Sequence, residues 1–332
     1  MAVVTHPAPG KRSYVLFVLS LLFIKPLMKL WPITDRGLRP IGALSRLAYR
    51  KSKDVSGVER QPDTLGGRLT DHLRPAGALP IELTGGGDAA VLYLHGGAFI
   101  GCGPGTHREI GGRLARDTAI DLYSVDYRQL PEAGVGTSVH DAVAAYRELF
   151  DRGYRRVVVV GDSAGGYLCG KVIEAAAREG LPQPAGFIGY SPLLDLDLAA
   201  DPTSTSRHDA YLPKKKMARL APKFDRGPVL FQGARNVNDV AAEAFPATLL
   251  FTAQDEFLEP DCVRLAQHIS AAGIPATLHS YPWQLHAFPA MGGVTPQALQ
   301  AIELSVVAIR EAVAAAAARD QTGLAEDAQQ AG

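Results

Sequence analysis

Along this chain short apolar runs alternate with longer amphipathic stretches. Residues 89–94, 157–160, 246–253 and 276–281 are brief, rich in β-branched and aromatic side chains, and set off by Gly, Pro, Asp or Arg. That pattern predicts buried strands, and a further strand ends near Tyr190. Residues 167–177 and 261–272 carry helical composition instead. Strands that alternate with helices predict one α/β domain over residues 61–315, with a mostly parallel central sheet and helices on both faces.

Three segments fall outside this rhythm. Residues 14–24 form an uncharged apolar run behind Lys11 and Arg12, interrupted by Lys25 and Pro26. The run is shorter than the roughly 20 residues that span a bilayer, and no small-residue cleavage site follows it. The neighbouring Lys29, Leu30 and Trp31 suit an interfacial segment, with a structural cap and a signal-anchor as the other readings of residues 1–60. Residues 197–243 mix Pro, Asp, Lys and Arg with small apolar patches and read as a cap insertion, within which Lys214, Lys215 and Lys216 form a solvated loop face. Residues 316–332, Ala-rich and then rich in Asp, Gln and Gly, read as a flexible tail.

Composition narrows the classes of function. A chain of 332 residues that is 47% hydrophobic, with formal net charge zero, can bury a full core. No stripe of Lys and Arg with interleaved aromatics supports nucleic-acid binding. Cys102, Cys169 and Cys262 are odd in number, widely spaced and without metal-ligand spacing, so neither a disulfide framework nor a metal site is indicated. No phosphate loop or dinucleotide fingerprint occurs, and no cofactor is inferred.

The chemistry lies where the valine run ends. Gly161-Asp162-Ser163-Ala164-Gly165 joins the run to a helix, which is the layout of a nucleophile elbow with Ser163 on a sharp turn. A serine hydroxyl is a weak nucleophile until a base takes its proton, so a histidine and an acid are required downstream. His286 lies on a loop beyond the last strand and is the base; His107, His140, His208, His268 and His279 lie before the required position or inside elements. The strand over 246–253 delivers Asp255 and Glu256 at its C-terminal end. Asp255 is preferred as the acid because it comes first and its shorter side chain suits an imidazole-orienting hydrogen bond; Glu256 is the rival. His95-Gly96-Gly97 follows the strand over 89–94, about seventy residues upstream of the elbow. Its Gly96 and Gly97 N–H groups, with that of Ala164, are the expected donors of an oxyanion hole.

With these motifs the chain resembles the hormone-sensitive-lipase-like esterases and lipases of the α/β-hydrolase superfamily over roughly residues 75–315. The resemblance rests on residues 95–98, 126–132, 161–166, 191–195 and 286–288. Ala98 stands where the family has a glycine, and Ala287 where it commonly has another. The resemblance implies an α/β-hydrolase fold, a cap that includes the N-terminal segment, and Ser163, Asp255 and His286 as serine, acid and base. It implies a serine carboxylester hydrolase acting on small lipophilic esters of short or medium acyl length. The rivals are an amidase or arylformamidase using the same groups, and a non-catalytic receptor with the hydrolase fold. The expected location is the cytoplasm, peripheral to or anchored at the membrane.

Overall fold

The computed structural model describes residues 2–78, 88–197 and 209–330, with the side chains at 46, 48–50 and 322–330 excepted. Its strands are β1 (Ala2–Thr5), β2 (Val58–Leu65), β3 (Arg68–Pro75), β4 (Ala89–Leu94), β5 (Asp121–Val125), β6 (Arg156–Asp162), β7 (Gly186–Tyr190), β8 (Thr248–Ala253) and β9 (Ala276–Tyr281). They form one nine-stranded sheet in the order β1-β9-β8-β7-β6-β4-β5-β3-β2, in which β3 runs against both its neighbours and the other pairings are parallel. This is the α/β-hydrolase fold.

The valine run follows from this layering. Val157 and Val159 of β6 enter a core shared with α5 (Val135–Asp151) and α6 (Ala164–Glu179). Val158 and Val160 enter the opposite core, against α4 (Arg108–Thr118) and α8 (Pro296–Gln330). A strand covered on both faces has no position for a polar side chain, so its sequence is apolar throughout rather than alternating. Register then gathers the loops at one end of the sheet. Leu94 pairs with Gly161, Asp162 with Tyr190, and Ala253 with Tyr281, so the segments after β4, β6, β8 and β9 emerge together.

The N-terminal segment departs from its sequence reading. Residues Lys11–Leu30 form a continuous 20-residue helix, built from α1 (Lys11–Leu19), a wide π turn at Ser20–Ile24 and α2 (Lys25–Leu30). Pro26 does not end it, because the π turn loosens the backbone just ahead of the proline and spares the carbonyl clash that a regular turn would impose. Ahead of this helix β1 extends the sheet beside β9. After it, α3 (Asp35–Lys51) packs above the loop that follows β4, where Ser45 Oγ accepts the Cys102 N–H at 2.7 Å.

The described part of the insertion meets the same segment. Lys214, Lys215 and Lys216 open a short helix, α7 (Lys214–Leu220), instead of lying on a loop, and the Lys216 ammonium donates to the Trp31 carbonyl. Asp35 of α3 pairs with Lys223 and Arg226. At the other terminus α8 continues to Gln330, past the start of the expected tail at residue 316. Strong helix formers such as Ala sustain the added turns, and Asp320 closes on Arg156 at 2.7 Å.

Candidate active site

Ser163 sits between β6 and α6 with φ 50° and ψ −119°, a backbone conformation that non-glycine residues rarely adopt. The turn is this tight because Gly165 has no side chain: a Cβ there would fall 1.8 Å from the Leu94 carbonyl oxygen. The Ser163 N–H donates to the Tyr190 carbonyl at 2.9 Å, and its carbonyl accepts from the Leu193 N–H at 2.8 Å. Both bonds hold the strained residue against the end of β7.

His286 meets the serine, with its Nε2 2.8 Å from Ser163 Oγ. Its Nδ1 lies 2.7 Å from Oε2 of Glu256. With the proton on Nδ1, the imidazole donates to Glu256 and accepts from the serine hydroxyl, which is the tautomer a general base needs. Both side chains are buried, at 5% and 1% exposure.

The carboxylate that meets His286 is therefore Glu256, and not Asp255 as expected from sequence. Asp255 occupies the left-handed region at φ 60°, in a turn closed by the Glu256 N–H donating to the Ala253 carbonyl at 3.2 Å, and it is exposed. That turn aims Asp255 outward and folds Glu256 back under the histidine loop. Glu259 fixes the arrangement by accepting the Asp255 N–H and the hydroxyls of Thr252 and Ser280. The other oxygen of Glu256 accepts the Ala253 N–H at 3.0 Å, so both of its oxygens are engaged.

Burial alone would favour neutral His286. The field and hydrogen bond of Glu256, with smaller contributions from Asp209 and Asp162, outweigh it and hold the imidazole above its ordinary pKa of 6.5. A base role requires the neutral ring, so activity should be full well above that pKa and lost as pH falls through it. The acid limb of kcat/KM is expected above pH 6.5, and a limb well below it would contradict the arrangement.

A second correction concerns the glycine loop. The Gly96 N–H donates to Asp162 Oδ1 at 2.9 Å, so it is not available to an oxyanion. Among the described residues no acceptor meets the N–H groups of Gly97, Ala98 and Ala164. Gly97 at φ 117° and Ala98 at φ 53° turn the chain sharply here, and a Cβ on Gly97 would fall 2.0 Å from the Gly101 carbonyl oxygen. Without an acceptor of their own, the N–H groups of Gly97, Ala98 and Ala164 are the ones left to serve as donors.

Asp162 and His107 are the residues that sequence reasoning missed. Asp162, buried beneath the elbow, also accepts from the Tyr93 hydroxyl at 3.0 Å and lies 3.3 Å from His107 Nε2. Burial opposes charge on both partners, yet their mutual attraction holds the Asp162 carboxyl below its usual range and the His107 imidazole above its own. The one available signal was an acid inside the elbow motif itself. His95 stacks on Tyr127 at 4.3 Å, and burial pushes its pKa down to about 3, so it stays neutral. Asp162→Ala frees the Gly96 N–H and strands His107, and the resulting misplacement of the loop should lower kcat by about a hundred-fold with circular dichroism unchanged.

The remaining histidines lie elsewhere. His6 and His279 pair at the sheet edge at 2.8 Å, His72 meets Asp121 at 3.1 Å, His268 meets the Val240 carbonyl at 2.9 Å, and His140 is exposed. His208 lies outside the described residues.

Comparison with known proteins agrees with the fold. The sequence profile of the alpha/beta hydrolase fold family matches residues 91–290. Esterase LipU of Mycobacterium tuberculosis is 29% identical over 306 residues, covering 87% of this chain and 99% of LipU. Carboxylesterase/phospholipase LipF of the same organism is 29% identical over 327 residues, covering 94% of this chain and 84% of LipF. The crystal structure of a hormone-sensitive lipase from a metagenome library superposes with a TM-score of 0.78 at 26% identity, covering 92% of this chain and all of that one.

Proposed function

Since the chain belongs to the hormone-sensitive-lipase-like esterases of the α/β-hydrolase family and is a carboxylesterase/lipase-type hydrolase, we propose that it cleaves lipophilic esters through an acyl-enzyme on Ser163. The observation that carries this reading is the unbroken chain of hydrogen bonds from Ser163 through His286 to Glu256. The serine oxygen attacks the ester carbonyl while His286 takes its proton, and Glu256 stabilises the imidazolium that forms. The Gly97, Ala98 and Ala164 N–H groups receive the negative charge on the tetrahedral oxygen. His286 then returns the proton to the leaving alcohol, and water, activated by the same histidine, releases the acid.

The substrate is a small ester of short or medium acyl length. Such esters partition into lipid, and the apolar N-terminal segment suits contact with a membrane surface from the cytoplasmic side. Three unpaired cysteines accord with a reducing compartment.

A series of p-nitrophenyl esters of rising acyl length, run beside matched anilides, tests the reading. Ester cleavage that peaks at short or medium chains is expected. Anilide turnover equal to or above ester turnover would favour the amidase alternative, and no turnover of either would favour a binding protein.

A further inference from the structure

The Lys11–Leu30 helix is held on the catalytic body along one stripe only. Ser13 donates to the Gln297 side chain at 2.7 Å, Ser20 to the Ala210 carbonyl at 3.1 Å, and the Lys25 ammonium to the Asp209 carbonyl. Between them Phe17 is buried edge-on to Trp283 at 5.3 Å, and Tyr14 meets the same ring at 5.4 Å. The rest of the helix faces out and is apolar: Leu22 is 59%, Phe23 65%, Leu27 56% and Leu30 82% exposed. A soluble monomer rarely leaves such a patch uncovered.

The ends of the helix decide how it could be covered. Ahead of it, β1 is paired into the sheet and His6 stacks on Tyr281 at 3.8 Å. Beyond it, Leu38 of α3 is buried and Ser45 holds the loop after β4. A 20-residue helix is about 30 Å long, enough to cross a hydrocarbon core. Crossing would put its ends on opposite sides, yet both are anchored to one body. Charge then selects among flat partners. Lys11, Arg12 and Lys29 of this helix, and Arg36 and Arg39 at the start of α3, are exposed, and no acidic residue precedes Asp35. Basic flanks around an apolar face match an anionic lipid surface.

We propose that the Lys11–Leu30 helix lies flat in the headgroup region of an anionic membrane, its inner stripe still on the catalytic body. The residues it grips lead to the site: Tyr211, next to Ala210, stacks with its ring 6.2 Å from that of His286. The enzyme therefore works as a monotopic hydrolase on esters drawn from the bilayer. That last point rests on the ester-hydrolase reading, whereas lipid binding does not.

The chain has two tryptophans, Trp31 and Trp283, and both adjoin this helix, so their fluorescence reports its environment. Full-length Ser163→Ala protein, which cannot consume lipid, is mixed with vesicles of phosphatidylcholine alone or with phosphatidylglycerol. Flotation with the anionic vesicles is expected, together with quenching that is stronger by phosphatidylcholine brominated near the glycerol than near the chain end. Replacing Leu22, Phe23 and Leu27 together by Glu should weaken flotation about a hundred-fold. The same triple change in the active protein should leave hydrolysis of water-soluble p-nitrophenyl esters intact. Failure to float refutes lipid binding, and stronger quenching from the chain end refutes the flat orientation. A light-scattering dimer that the triple change dissociates, without flotation, would assign the face to a second copy and overturn the proposal. Ester hydrolysis by the wild type without vesicles tests the catalytic reading separately.

Discussion

Ser163→Ala is expected to remove turnover, lowering kcat by about six orders of magnitude, because no acyl-enzyme can form without the hydroxyl oxygen. His286 and Glu256 stay in place in this variant but have no nucleophile to activate. Groups that act as a unit are not additive, so adding His286→Ala should cost little more. The elbow itself should survive, since its backbone is held by bonds to Tyr190 and Leu193 that do not involve the hydroxyl. Steady-state p-nitrophenyl ester hydrolysis, with circular dichroism as the fold control, checks this. Activity within tenfold of wild type would remove Ser163 from the mechanism.

Glu256→Gln should lower kcat by about four orders of magnitude, while Asp255→Asn should change it only a few-fold. The reason is the number of acceptors. Glu256 uses one oxygen for the Ala253 N–H and the other for His286 Nδ1. A glutamine has one carbonyl oxygen and one NH2 group, so it can serve only one of these donors. If the NH2 turns toward His286, Nδ1 becomes an acceptor and the ring proton moves to Nε2, where it faces the serine. That tautomer cannot act as base. If the oxygen turns toward His286 instead, the NH2 confronts the Ala253 N–H and the turn that positions the acid is disrupted. Asp255 is exposed, and its carboxylate does not meet the histidine. Parallel kcat measurements on the two variants decide between the acids, and a crippled Asp255→Asn with an active Glu256→Gln would reverse the assignment.

What was legible in the chain is what contiguous residues encode. The valine run, the two elbow glycines and the helix beyond Ser163 are neighbours in sequence, and a tight strand-to-helix turn follows from their steric properties alone. His286 was legible for a related reason, since it follows a strand whose apolar pattern predicted Ala276–Tyr281 with the bounds observed. Alternation of strands and helices likewise carried the fold class.

Tertiary structure decided whatever depended on direction. Asp255 and Glu256 are adjacent, and a strand end supplies both; which of them faces His286 depends on one left-handed φ and on Glu259 bracing the turn. Gly96 reads as a donor in sequence, together with Gly97 and Ala164. The register of β4 against β6 brings Asp162 beneath Gly96, and its carboxylate takes the Gly96 N–H. Pro26 reads as a break until a π turn accommodates it, and only the assembled sheet shows β1, ahead of the apolar helix, paired beside β9. Local sterics set which turns and helices form, but hydrogen bonds between distant segments select which of two neighbouring groups points into the site. Those bonds exist only once the sheet has assembled.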